Sequence, residues 1–208
     1  MPSPKSLRAY LLSAAFGLAA LPALATDGPR IGAAAPDFTG TDSNGAKVHL
    51  ADLKGKTIIL EWTNDGCPYV HKWYSSGAMQ KLQRDAASLG AVWLSVVSSA
   101  PGEEGYVDAA KANADTLSRK AAPAHVLLDP QGAIGHLYGA QTTPHMFVIK
   151  PDGTLAYMGG ADSIGSTRIA DMQKAEPYAR EAIEAVVAGK PVAHPVTRPY
   201  GCWVKYSS

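Results

Sequence analysis

Two spacings of apolar residues organise the chain. Residues 57–62, Thr-Ile-Ile-Leu-Glu-Trp, form an apolar, β-branched run between turn residues, which predicts a buried strand. Over residues 68–89 the period changes: Val70, Tyr74, Ala78, Leu82 and Ala86 recur at every fourth position, so a helix follows. Pro68 suits its first turn, because proline fixes φ and lacks an N–H that would have no intrahelical partner there. Cys67 therefore stands at or beside the N-cap. Residues 91–97 predict a second buried strand. Residues 103–120 predict a second helix, with acids in the first turn and bases in the last, as the helix dipole favours. Further strands are expected at 125–128 and 146–149. Pro151-Asp152-Gly153 then turns the chain into an expected antiparallel partner at 154–158. A last helix begins at Pro177 and stops at Gly189, leaving a tail. Upstream, Ser43-Asn44-Gly45 and the alternating Lys47-Val48-His49-Leu50 read as a small N-terminal hairpin. Strands alternating with helices and closing on a hairpin plus helix specify an α/β fold with a mixed central sheet.

The first residues follow a different logic. Lys5 and Arg8 precede an apolar run at residues 9–21, and Ala23-Leu24-Ala25 offers a small-x-small cleavage pattern. About a dozen apolar residues fall short of the roughly 20 that span a bilayer, so residues 1–25 read as a signal peptide cleaved after Ala25. The expected product is periplasmic or secreted, with no stable membrane anchor. Without that segment the charge balance is 17 Lys+Arg to 18 Asp+Glu, which gives no attraction to nucleic acid. Residues 26–208, including the tail at 190–208, are long enough for one domain with its own core.

Candidate chemistry centres on the two cysteines, Cys67 and Cys202. Thiols sent to an oxidising compartment tend to be paired, reactive or metal-bound. At a helix N-terminus, unsatisfied N–H groups and the dipole stabilise thiolate over thiol and lower the pKa below the usual value of about 8.5.

Ala35-Pro36-Asp37-Phe38, the loop-helix segment Cys67-Pro68-Tyr69-Val70 and Thr142-Thr143-Pro144 together resemble the thioredoxin-like redoxins of the AhpC/TSA and TlpA type. The closing Gly201-Cys202-Trp203-Val204-Lys205-Tyr206 resembles the ending of a peroxiredoxin-like branch. The resemblance implies a thioredoxin-like fold and a cis Pro144 beside the reactive cysteine. It also implies a thiol oxidoreductase that acts on a thiol, a peroxide or a partner protein's disulfide and needs no cofactor. Cys67 would attack and Cys202, carried on a Pro-rich and mobile tail, would resolve; Thr143, Pro144, Pro68 and Trp73 would shape the site.

The chain departs from both standard patterns. Val70 stands where a dithiol motif has its second cysteine, and Asn64 and Leu60 stand where a peroxidatic loop has its hydroxyl residue and its proline. Thr63 and Arg198 are weak substitutes for the missing hydroxyl and for a peroxide-binding arginine. Two alternatives stay open. Cys67, His71 and His145 would suit copper in outline, like the Sco-type carriers, if the fold gathers them. A Cys67–Cys202 disulfide would alternatively serve as a structural staple.

Overall fold

A computed structural model describes Met1 and residues 28–207. The expected leader, Met1 apart, lies outside the described residues. Seven strands form one mixed sheet in the order β2-β1-β5-β4-β3-β7-β8. They are β1 (Thr39–Asp42), β2 (Lys47–His49), β3 (Ile58–Trp62), β4 (Val92–Val97), β5 (His125–Leu128), β7 (His145–Ile149) and β8 (Leu155–Gly159). β3, β4 and β5 run parallel, and β7 lies antiparallel to β3 with Trp62 opposite His145. A separate two-stranded ribbon pairs β6 (Thr142–Thr143) with β9 (Cys202–Trp203).

The central strand explains why its sequence reads as a continuous apolar run. Ile58, Leu60 and Trp62 face one buried cluster with Phe147 and Tyr138, while Ile59 faces the other with Trp93 and Met146. Successive side chains of a strand point to opposite faces, so a sheet covered on both faces needs apolar residues throughout. The second cluster lies under helices α1 (Pro68–Ser75), α2 (Ala78–Ser88) and α5 (Tyr178–Val187), and it contains Cys67. Among the described residues no helix is long and apolar enough to cross a membrane.

Three expectations need correction. The helix expected over 68–89 is two helices, because Gly77 takes a left-handed φ of 77° between them. The four-residue period survives this break because both pieces bury the same face. The helix expected from Glu103 is α3 (Ala109–Ser118), started by the side chain of Asp108 accepting from Lys111 N–H. Glu103 and Glu104 belong to the preceding turn. The tail is not loose: the backbone of Met158 exchanges hydrogen bonds with Pro195 and Thr197, and the tail ends in β9. The short helix α4 (Ala133–Leu137) was not foreseen.

Candidate active site

Strand β3 delivers the chain at Trp62 into a four-residue loop, and the loop delivers Cys67 to the N-cap of α1. Cys67 has an extended backbone (φ −79°, ψ 120°), with Pro68 at the first helical position. Asn64 shapes the loop. Its side chain accepts from Gly66 N–H (2.8 Å) and donates to the Glu104 carbonyl (3.3 Å), and its carbonyl accepts from Cys67 N–H (3.1 Å). Only a glycine fits at position 105, where a Cβ would lie 2.2 Å from the Asn64 amide. The polar residue in the peroxidatic hydroxyl position is therefore spent on the loop backbone.

The Cys67 side chain is 0 % exposed and donates to the Thr143 carbonyl at 3.1 Å. The Thr143–Pro144 peptide is cis. Opposite Thr143, in antiparallel register, stands Cys202. Gly201 permits this approach, since its φ is 148° and a Cβ there would lie 2.0 Å from the Thr143 carbonyl oxygen. Both cysteines are free thiols, and they lie close enough to perturb each other's ionisation.

Their acidities diverge. Burial pushes the Cys67 thiol up, but the neighbouring Cys202 and Thr143 groups and the N–H groups of Val70 and Cys202 outweigh it and hold the pKa below the ordinary thiol value. Cys202 goes the other way, pushed up to about 12 by burial, then by its bond to Cys67, the Cys67 charge and Glu104. The inner sulfur ionises first and the outer one keeps its proton to donate.

The tail is anchored at three points around Cys202. Thr197 Oγ1 hydrogen-bonds Tyr157 (2.6 Å) and accepts from Gly160 N–H (3.1 Å). Tyr200 donates a short hydrogen bond to Asp162, and both meet Lys72 Nζ, at 3.2 Å from the Tyr200 hydroxyl and 3.5 Å from the Asp162 carboxylate. Beyond Cys202, the Tyr206 hydroxyl donates to the Ala140 carbonyl (2.8 Å), and its ring stacks on His136 with centroids 4.0 Å apart. No residue of 192–201 is itself buried, so discrete polar bonds, not apolar burial, hold the segment that was expected to be mobile. Trp203, beside Cys202, pairs with Thr142 through its backbone but is 68 % exposed.

The copper set does not assemble. His71 is exposed, whereas His145 is buried with Nδ1 accepting from Gln141 N–H (3.3 Å) and its ring against Phe147. Burial pushes the His145 pKa down to about 4, so its imidazole is neutral near pH 7. Among the described residues no three His, Cys, Asp or Glu side chains gather as metal ligands would. Trp73 lies in the apolar cluster that encloses Cys67. Thr63 Oγ1 is buried without a hydrogen-bond partner, and Arg198 lies on the wall of an open groove.

Among the buried charged residues, Lys72 and Glu61 escaped the sequence. Lys72, whose side chain is 0 % exposed, sits on α1 where a surface cation would be expected. Glu61 is fully buried in β3 and accepts from Tyr74 (2.9 Å), Trp93 (2.9 Å) and Ser95 (3.1 Å). Burial raises its pKa against those bonds. A glutamate inside an otherwise apolar strand was the available sign of the second; nothing local marks the first.

The family model for the AhpC/TSA family matches residues 31–158, from the N-terminal hairpin through β8. The chain belongs to the AhpC/TSA family. Its fold is thioredoxin-like, an α/β mixed sheet flanked by helices, and redoxin membership supports thiol oxidoreductase activity. Among solved structures it resembles a hypothetical protein from Sinorhizobium meliloti 1021, with 22% identity, a TM-score of 0.72, and coverage of 88% of this chain and 97% of that one. An uncharacterized conserved protein from Geobacillus kaustophilus gives 20% identity and a TM-score of 0.73 over 87% and 94% of the two chains. A putative thiol:disulfide interchange protein DsbE from Chlorobium tepidum gives 22% and 0.53 over 77% and 97%. No curated protein sequence matches the chain.

Proposed function

We propose that this redoxin is an exported thiol oxidoreductase whose working unit is the Cys67/Cys202 pair, cycling between dithiol and disulfide. The observation that carries the reading is the register of β9 on β6, which puts Cys202 opposite Thr143, the residue whose carbonyl accepts from Cys67. The opposed acidities support the same division of labour, with Cys67 as nucleophile and Cys202 as resolving thiol. Thr143, Pro144 and Pro68 position the inner sulfur, and export rests on the leader at residues 1–25.

A peroxide is the oxidant class that suits a fully covered sulfur, because a small molecule needs the least opening. The Cys67 thiolate would attack one peroxide oxygen, breaking the O–O bond to give sulfenic acid and hydroxide. Cys202 would then displace water from the sulfenic acid and close the disulfide.

The test is a redox titration of the mature protein with non-reducing peptide mapping. A Cys67–Cys202 cross-link with a potential above about −300 mV is expected of a catalytic pair. A potential below that value would make the bond a structural staple, and two free thiols after oxidant treatment would refute the couple. Sequencing the N-terminus of the exported protein should find Thr26 first.

A further inference from the structure

The end of the central sheet remote from the cysteines holds a cavity of about 210 Å³. Ile58, which begins β3, and Ile149, which ends β7, line it together with Leu50. All three belong to the buried cluster on one face of the sheet, and Leu53 and Ala35, also on the lining, pack against that cluster. The cavity is therefore floored by core side chains. Cys67 lies beyond the opposite end of β3, so the thiol pair does not account for this opening.

The charged residues on the lining are Lys54, Lys56, Lys150, Asp37 and Asp152. Both carboxylates already have partners. Asp37 bonds the His49 ring (2.9 Å) and accepts from Ala51 N–H (3.2 Å), and Asp152 accepts from Thr154 N–H (2.8 Å). The three lysines are exposed, and among the described residues no salt bridge or hydrogen bond engages their ammonium groups.

An apolar floor under a rim of unengaged cations suits an anion with an apolar body, and size narrows the class. A cavity of about 150 Å³ takes one benzene ring, whereas drug-sized ligands need about 300 Å³ or more. We infer that this cavity binds a small monocarboxylate whose apolar body is about the size of a single ring. The body lies against Leu50, Ile58 and Ile149, and the carboxylate meets the lysines at the mouth. Burial of the body drives binding, because removing apolar surface from water needs no directional partner. The lysines select the charge, since long cationic side chains reach a head group that stays in water.

The test is titration of the mature protein with benzoate, followed by amide proton–nitrogen NMR shifts. Acetate supplies the head without the body, and benzyl alcohol the body without the charge. Benzoate should shift the amides of Leu53, Ile58, Ile149 and Gly153 saturably and bind at least about ten-fold more tightly than either control. Shifts confined to other parts of the molecule, or equal affinity for benzoate and either control, would overturn the inference. The combined variant Lys54→Gln, Lys56→Gln and Lys150→Gln should weaken benzoate about ten-fold, since an exposed ionic contact contributes roughly two-fold. Added sodium chloride should weaken benzoate on the unsubstituted protein and leave benzyl alcohol unchanged, which tests the charge without a variant. Unchanged affinity in the folded variant, or indifference of benzoate to salt, would remove the lysines from the site and the carboxylate from the ligand class.

Discussion

Cys67 is held by the core and Cys202 by a handful of polar bonds, although the two sulfurs share one site. The inner cysteine begins a helix whose buried face shares one apolar cluster with Ile59, Met146 and Tyr157, so its position is set by many small contacts that no single substitution removes. The outer cysteine lies on a chain with no buried residue between 192 and 201, and its position depends on Thr197, Tyr200 and Tyr206. In the proposed cycle, a resolving thiol that separates from and rejoins its partner is well served by anchors that open locally. The nucleophile, whose ionisation depends on fixed donors, is better served by a rigid seat.

Substituting the cysteines is the most forceful way to break this comparison. Cys67→Ser should abolish turnover, by at least about a thousandfold, because it removes the nucleophile itself. Cys202→Ser should leave the first oxidation of Cys67 and stop the cycle there, giving sulfenic acid, over-oxidation or intermolecular dimers visible by mass spectrometry. Equal behaviour of the two variants would mean that the sulfurs are interchangeable.

Lys72 joins the two regions, since it belongs to α1 and holds Tyr200 of the tail. Lys72→Met keeps the volume but strands Asp162, and should cost about 3–5 kcal/mol of unfolding free energy in denaturant titration. Tyr200→Phe leaves the ion pair and should cost about 1.5–3 kcal/mol. A neutral result for Lys72→Met would show that the tail does not depend on the core helix.

In the acid range the core side also carries a pH dependence. His145 is neutral in the native state, with its pKa near 4, and titrates near 6.5 when unfolded. Its contribution to stability is therefore present above pH 6.5 and lost as pH falls toward 4, by up to about 3 kcal/mol. Glu61, raised by burial, contributes with the opposite slope above its unfolded pKa, so the comparison must be with His145→Gln, which should flatten the loss on acidification. Parallel stability–pH curves for the two proteins would contradict the buried neutral imidazole.

The smallest contrast lies within the tail. Tyr206→Phe should cost about 1 kcal/mol through the lost bond to Ala140, while Trp203→Ala, at an exposed position, should change stability by no more than about 0.5 kcal/mol. Thermal unfolding of the two variants distinguishes an anchor from a bystander.

The sequence by itself determined the α/β order, the buried strands and the placement of Cys67 before a helix, because periodicity, Pro68 and turn residues act over a few neighbours. It also merged two helices across Gly77 and began another too early at Glu103, since a shared face or a run of charge continues past a break in the backbone. The approach of Cys202 to Thr143, the exclusion of His71 from any ligand set and the burial of Lys72 were decided by tertiary structure alone. Lys72 meets Asp162 and Tyr200 across 90 and 128 residues. No local pattern encodes such meetings: they follow from how the sheet, the helices and the returning tail pack, which turns a lysine that reads as a surface charge into the buried link between the two halves of the site.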